Sequence, residues 1–191
     1  MMRISKLLCK SFALLSLLFI ACSNTDDIQQ KVTEIDASQL KVRDPFIFYD
    51  ADTDYYYLHV NGTLKVKSYK SKDLLTWQEN GYSFLPSAGF WGKEDFWAPD
   101  FYKYKDKYYL FITLSAPGVK RGTSVLVSDR VTGTFQPLVN APVTPQEWTC
   151  LDGSLYVDSE GIPWIFYCRE WVEVGDGEIY IQQLKDDLTT T

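Results

Sequence analysis

Three aspartates of this chain recur in one local setting. Asp44, Asp100 and Asp152 each stand just ahead of an aromatic-rich run, a short polar turn and a second aromatic run, at spacings of 56 and 52 residues. Carboxylates brought to one place are the material of general acid–base chemistry, in which one group takes a proton and another gives one. Asp44 lies between Arg43 and Pro45, a rigid position beside a cation that suits an ionised carboxylate. Glu170, in Cys168-Arg169-Glu170-Trp171, stands beside an indole that would desolvate it. Each acid also has a local reading. Asp44 fits a turn before a strand, Asp152-Gly153 is common turn chemistry, and Glu170 fits a surface pair with Arg169. A one-residue slip in its hairpin would turn Glu170 outward.

The elements that must position these acids follow from the repeat. A near-constant period of this length, filled by strands, is the pattern of a β-propeller, so the expected fold class is all-β, with about three blades present. The innermost strand of each blade lines the axis, and acids at the start of that strand converge on one mouth. Blade one is expected at 46–49, 55–60, 64–68 and 77–83, with Trp77 packed between blades. Blade two is expected at 100–104, 107–114 and 124–128 with a short strand near Phe135. Blade three runs from Cys150 through 164–167 to 178–184. Asn61-Gly62, Asp106-Lys107 and Thr132-Gly133 are turn chemistry. Lys120-Arg121-Gly122-Thr123 is expected as a turn and not a phosphate loop, because no helix follows it. No segment carries a helical period. The pattern stops at 187–191, where another outer strand should follow. Three blades are fewer than the four to eight a propeller usually uses, so a piece of a longer protein is expected.

Residues 1–22 read as a lipoprotein signal peptide, 23–40 as a tether and 41–191 as the partial propeller domain. Arg3, Lys6 and Lys10 precede the apolar run 12–21, which is too short to span a bilayer. Phe19-Ile20-Ala21-Cys22 resembles a bacterial lipobox with Cys22 as the lipidated residue. This implies a lipid anchor to the membrane and an outer-membrane lipoprotein facing the periplasm or the cell surface. Ser23-Asn24-Thr25-Asp26-Asp27 resembles the surface-export signal of Bacteroidetes lipoproteins, and fits a plain polar linker equally. Cys150 and Cys168 flank the third hairpin; a cross-strand disulfide and two free thiols both fit. The only histidine, His59, reads as a core residue, and no cysteine pair has zinc spacing, so no metal site is implied. A net charge of −6 argues against a nucleic-acid partner. The 16% aromatic content suits strands and carbohydrate-facing surfaces.

Several motifs together resemble glycoside hydrolase family 43, five-bladed propeller enzymes acting mainly on arabinose- and xylose-containing glycans. They are Arg43-Asp44-Pro45-Phe46, the Ser71 to Trp77 segment, Trp97-Ala98-Pro99-Asp100 and Leu151-Asp152-Gly153-Ser154-Leu155-Tyr156, in family order over about 41 to 188. The resemblance implies single-displacement, inverting hydrolysis, with two carboxyl groups roughly 6.5–9.5 Å apart to admit a water. By that resemblance Asp44 is the general base, Asp152 orients the general acid and tunes it by like charge, and Asp100 contacts substrate. The family's acid is usually a glutamate in the fourth blade. Glu170, followed by Trp171 and Val174-Gly175-Asp176-Gly177, is the candidate here. Trp97, Trp148 and Trp171 are the aromatic candidates for a plant-type glycan substrate, with Trp91 and Phe96 in similar loop positions. The resemblance adds calcium at the propeller axis as an option. It implies weak or no turnover from these blades alone, and glycan binding without catalysis is the rival reading.

Overall fold

The computed structural model describes residues 33–190, so the signal segment, Cys22 and most of the tether lie outside the described residues. Three antiparallel meanders account for nearly all of the strands. Blade one contains β2 (Phe46–Asp50), β3 (Tyr55–Gly62), β4 (Lys65–Ser71) and β5 (Thr76–Phe84), with β1 (Glu34–Asp36) added on its outer edge. Blade two contains β6 (Glu94–Tyr104), β7 (Lys107–Ala116), β8 (Val119–Ser128) and β9 (Gln136–Pro137). Blade three contains β10 (Cys150–Val157), β11 (Pro163–Arg169) and β12 (Glu178–Gln183). The all-β, propeller-type architecture expected from the repeat is therefore observed. β2, β6 and β10 each lead a blade.

Burial explains why these runs read as they do. The middle blade is covered on both faces, and β7 is a continuous buried run from Tyr108 to Ser115. Strands of the outer blades keep one face open and alternate, as in β2 and β12. Phe48, Tyr57, Val66 and Phe84 of blade one pack with Phe101, Leu110 and Ile112 of blade two. Phe48 and Phe101 approach to 4.9 Å between ring centroids. Phe111 and Val125 pack in the same way with Cys150, Ile165 and Tyr167 of blade three. Each such fully buried side chain contributes about 1.5–3 kcal/mol.

Four expectations change. The packed unit begins before residue 41: β1 pairs with β5 through Glu34↔Gln78 and Asp36↔Thr76. Ile35, Ala37, Leu40 and Val42 then cover Trp77, which packs under this segment rather than between two blades. Gly122 lies inside β8 and not in a turn. A Cβ there would stand 2.7 Å from Pro142 Cβ, so the bare backbone is what lets the following loop pass. Among the described residues, one short α-helix, α1 (Trp171–Val174), interrupts the strands, closed by Gly175 at φ 86. Cys150 and Cys168 are free thiols, because Cys150 pairs with Arg169 and Cys168 with Leu151. Adjacent residues of β11 point to opposite faces, so the two sulfurs lie on opposite sides of the blade.

The blade-one turn is repeated in blade three. Asp73 Oδ1 accepts from the Leu75 and Thr76 amides at 2.9 and 2.8 Å, holding Leu74 at φ 65. Asp187 Oδ1 accepts from the Thr189 amide at 3.0 Å, Leu188 sits at φ 66, and Thr190 bridges back to Leu184. Here Leu188 is fully buried and anchors the turn.

Candidate active site

Each leading strand begins with a distorted backbone. Asp44, Asp95, Ala98 and Asp152 have φ of 49°, 62°, 42° and 55°. Non-glycine residues in this region cost about 1 kcal/mol or more each and concentrate at functional sites. β6 carries register shifts on both sides of Trp97, and β10 carries one between Leu151 and Ser154. These bulges turn side chains out of the sheet alternation and toward the mouth.

Asp152 is pinned by the middle blade. Its N–H donates to Thr113 Oγ1 at 2.9 Å, and the Gly153 N–H donates to Thr123 Oγ1 at 3.1 Å. Both threonines are fully buried. Gly153 is required, since a Cβ would meet Thr123 Oγ1 at 2.5 Å. The Asp152 carboxyl opens to solvent, yet surrounding protein desolvates it and raises its pKa above the ordinary carboxylate value. The charges of Asp44, Asp100 and Glu170 raise it further, and Arg121 opposes them. Asp44, Asp100 and Glu170 therefore each lie within electrostatic reach of Asp152.

The other members differ in how they are held. Asp44 is half open at 49% side-chain exposure, with Arg43 Nε 3.2 Å from Oδ2. Asp100 Oδ2 accepts from Ser154 Oγ at 2.6 Å and from the Tyr102 hydroxyl at 3.0 Å. Burial, and then the Asp100 charge, push the Tyr102 phenol upward. Glu170 is 4% exposed and caps α1 through its backbone, without a side-chain capping bond. Its carboxylate accepts from Arg121 Nη1, while Arg169 pairs with Glu173 at 2.9 Å. The local alternative of a surface Glu170–Arg169 pair is thus replaced by a buried pair with a different arginine. Trp171 does not cover Glu170; it is 68% exposed.

Arg121 was not singled out from sequence, and it organises this corner. It donates from Nε to Asp95 Oδ2 at 3.0 Å and from Nη1 to Glu170, and its Cζ lies 4.3 Å from the Trp97 ring centroid. Ser115 Oγ adds a 2.6 Å bond to Asp95. Asp95 and Glu170 are 26 and 49 residues away from Arg121, so no local pattern announces the triad. An arginine inside β8, directly ahead of its buried run Gly122–Leu126, is the one available signal. Trp97 stays partly exposed at the mouth. Trp148 is packed between Arg169 and Tyr180, at 4.4 and 4.8 Å, on the blade-three side. Trp91 donates from Nε1 to Ser124 Oγ at 2.8 Å, and Phe96 is buried in the seam. His59 is fully buried, stacked on Phe101 at 4.3 Å, with Nδ1 2.7 Å from Ser83 Oγ. Among the described residues, no group of three or more His, Cys, Asp or Glu is arranged to hold a metal ion.

The sequence profile of Glycosyl hydrolases family 43 matches residues 37–191. The chain belongs to glycosyl hydrolase family 43. A solved structure, endo-arabinase from Bacteroides thetaiotaomicron, is 60% identical with a TM-score of 0.80, over 82% of this chain and 55% of that one. Endo-1,4-beta-xylanase from the same organism is 25% identical with a TM-score of 0.66, over 79% and 50% of the two chains. Extracellular exo-alpha-(1->5)-L-arabinofuranosidase ArbA from Cellvibrio japonicus is 26% identical over 169 residues, 80% of this chain and 46% of that protein. This family-43 chain spans about half the length of the relatives it matches.

Proposed function

We propose that this family-43 chain carries the general-base side of an inverting glycosidase acting on arabinose- or xylose-containing glycans. The observation that carries the reading is Asp152, anchored through Thr113 and Thr123 at the start of β10, with its carboxyl raised first by burial and then by the charges of Asp44, Asp100 and Glu170. Asp44 takes a proton from water as that water attacks the anomeric carbon. Asp152 orients the proton donor and disfavours its ionised form by like charge. Asp100, fixed by Ser154 and Tyr102, accepts from a sugar hydroxyl, and Trp97 offers an indole surface.

Glu170 takes a positioning role in this proposal. Its carboxylate is committed to the Arg121 guanidinium, an acceptor's arrangement. The family's usual acid, a glutamate of the fourth blade, has no counterpart among the three described blades. The chain by itself is therefore expected to bind glycan with weak or no turnover, and the rival reading of binding without catalysis draws its support from the same contact.

Purified chain is assayed on aryl arabinofuranosides, aryl xylosides and linear arabinan, with calorimetric binding of the matching oligosaccharides. Binding is expected, with any turnover lost in Asp44→Asn and the product formed with inverted configuration. Turnover that survives Asp44→Asn, or retained configuration, refutes the assignment of the base. No binding of either sugar series refutes the glycan reading. An extracytoplasmic location, held by lipid on Cys22, is proposed from the leader sequence and from a relative named as extracellular. Cys22→Ser should release the protein from the membrane fraction.

A further inference from the structure

The β7–β8 ladder carries a bulge beside the mouth. Leu114 pairs with Gly122 and Ala116 with Val119, so Lys120 and Arg121 together stand opposite Ser115. A bulge of this kind re-aims side chains out of the strict alternation of a strand. Lys120 is taken by Glu173 and the Glu147 carbonyl. Arg121 is sent to the mouth, where Asp95 Oδ2 accepts from Nε at 3.0 Å and Glu170 accepts from Nη1. Among the described residues no other cation contacts either acid. Anchored at both ends, the guanidinium lies with Cζ 4.3 Å from the Trp97 ring centroid. Trp97 needs such a support. Register shifts flank it on β6 and Ala98 sits at φ 42, so the regular ladder does not fix the ring. The side chain is 39% exposed, with the guanidinium over one face of the indole and the remainder open to solvent.

The same side chain bears on the acids. Around Arg121 and Asp152 stand Arg43 with Asp44 ahead of β2, Asp95 and Asp100 on β6, and Glu170 and the Cys168 thiol on the blade-three side. Carboxylates outnumber arginines in this set. Burial and the neighbouring acids push the Asp152 carboxyl upward, and the Arg121 charge opposes them. We propose that Arg121 is the positioning residue of this mouth, fixing the plane of the Trp97 ring and the charge balance of the acids through one guanidinium. A sugar then meets an indole held rigid from behind, and the acids that surround it keep their protonation states only while that fork stays in place. The inference rests on the glycosidase reading for the identity of the ligand that meets Trp97, and on the contacts above for the rest.

Arg121→Met and Arg121→Lys separate the two duties. Methionine removes the charge. Lysine keeps it, but has no planar fork to bridge Asp95 and Glu170 while lying flat on an indole. Three readings are taken well below the unfolding temperature of each variant. In carboxyl carbon NMR titration, Asp152 should move to higher pH in Arg121→Met and stay near its wild-type midpoint in Arg121→Lys. The fluorine NMR signal of Trp97 in fluorotryptophan-labelled protein, identified by Trp97→Phe, should shift in both variants. Calorimetric affinity for arabino- or xylo-oligosaccharides should fall in both by about three- to tenfold, the worth of one aromatic contact. A guanidinium that only stabilises the fold would lower Tm and leave the Asp152 midpoint and the affinity at their wild-type values, and that result overturns the proposal. An unmoved Trp97 signal overturns it as well. If wild type binds neither sugar series, the glycan reading falls, and the Asp152 and Trp97 signals still decide the role of Arg121. Should methionine prevent folding, Arg121→Gln, whose amide can still donate to Glu170, takes its place with the same expected shifts.

Discussion

Replacing Arg121 with methionine keeps most of the side-chain stem and removes the guanidinium. Glu170, 4% exposed, is left as a buried charge without its partner, and Asp95 keeps only Ser115. Removing one member of a buried ion pair costs about 3–5 kcal/mol. The lower end applies here, because the Arg121 and Asp95 side chains each retain 20% exposure and solvent screens that arm. Loss of the guanidinium over Trp97 adds about 0.5–1 kcal/mol. The sum is about 3–4 kcal/mol, and at about 2–4 °C per kcal/mol for a domain of this size Tm should fall by roughly 10 °C. Urea unfolding followed by circular dichroism at pH 7 measures it, for Arg121→Met, Glu170→Gln and the double variant. Neutral glutamine no longer needs a cation, so the double variant should cost about 2 kcal/mol less than the sum of the singles. A loss below about 1 kcal/mol for Arg121→Met, or strict additivity, would refute the buried-pair argument.

His59 and Gly153 give two further tests. Burial pushes the His59 pKa from 6.5 to about 3, so the unfolded chain binds a proton that the folded chain refuses between those values. Stability should therefore fall as pH drops from about 6.5 toward 3, by up to about 4 kcal/mol, and comparison with His59→Gln isolates this share. Wild type and His59→Gln losing stability in parallel would contradict it. Gly153→Ala drives a Cβ into Thr123, with contacts of 2.5 and 2.6 Å to its Oγ1 and Cγ2, both on a fully buried residue. A loss of about 2 kcal/mol is expected from thermal unfolding, and an unchanged Tm would show that blade three does not press on blade two as described.

The blades were legible because aromatic runs at a constant period can only be strands that bury faces against their neighbours. β3, β4 and β7 fell close to their expected places, β8 begins at Val119 and not at Ser124, and Asp44, Asp100 and Asp152 were visible through the same repeat. What escaped was long-range. β1 is three residues with no pattern of its own, held by the edge of β5. Gly122 read as a turn because a glycine needed for close approach and one needed for a bend look alike in sequence. The Asp95–Arg121–Glu170 triad joins the start of β6, the start of β8 and the residue after β11, which only the tertiary fold brings together. Glu170 was noticed for its neighbour Trp171, which faces solvent; its true partner lies on another blade. The two cysteines looked symmetrical about their turn, but pairing one register apart sends them to opposite faces.

The central claim is that the acids of the leading strands form one electrostatically coupled centre around Asp152. Carboxyl carbon NMR titration of labelled aspartate, in wild type and in Asp44→Asn, tests it without requiring turnover. The account predicts that Asp152 titrates above the ordinary carboxylate range and moves back toward it when Asp44 is made neutral. An Asp152 that titrates normally, or is indifferent to the Asp44 substitution, would contradict a shared centre and the glycosidase mechanism built on it.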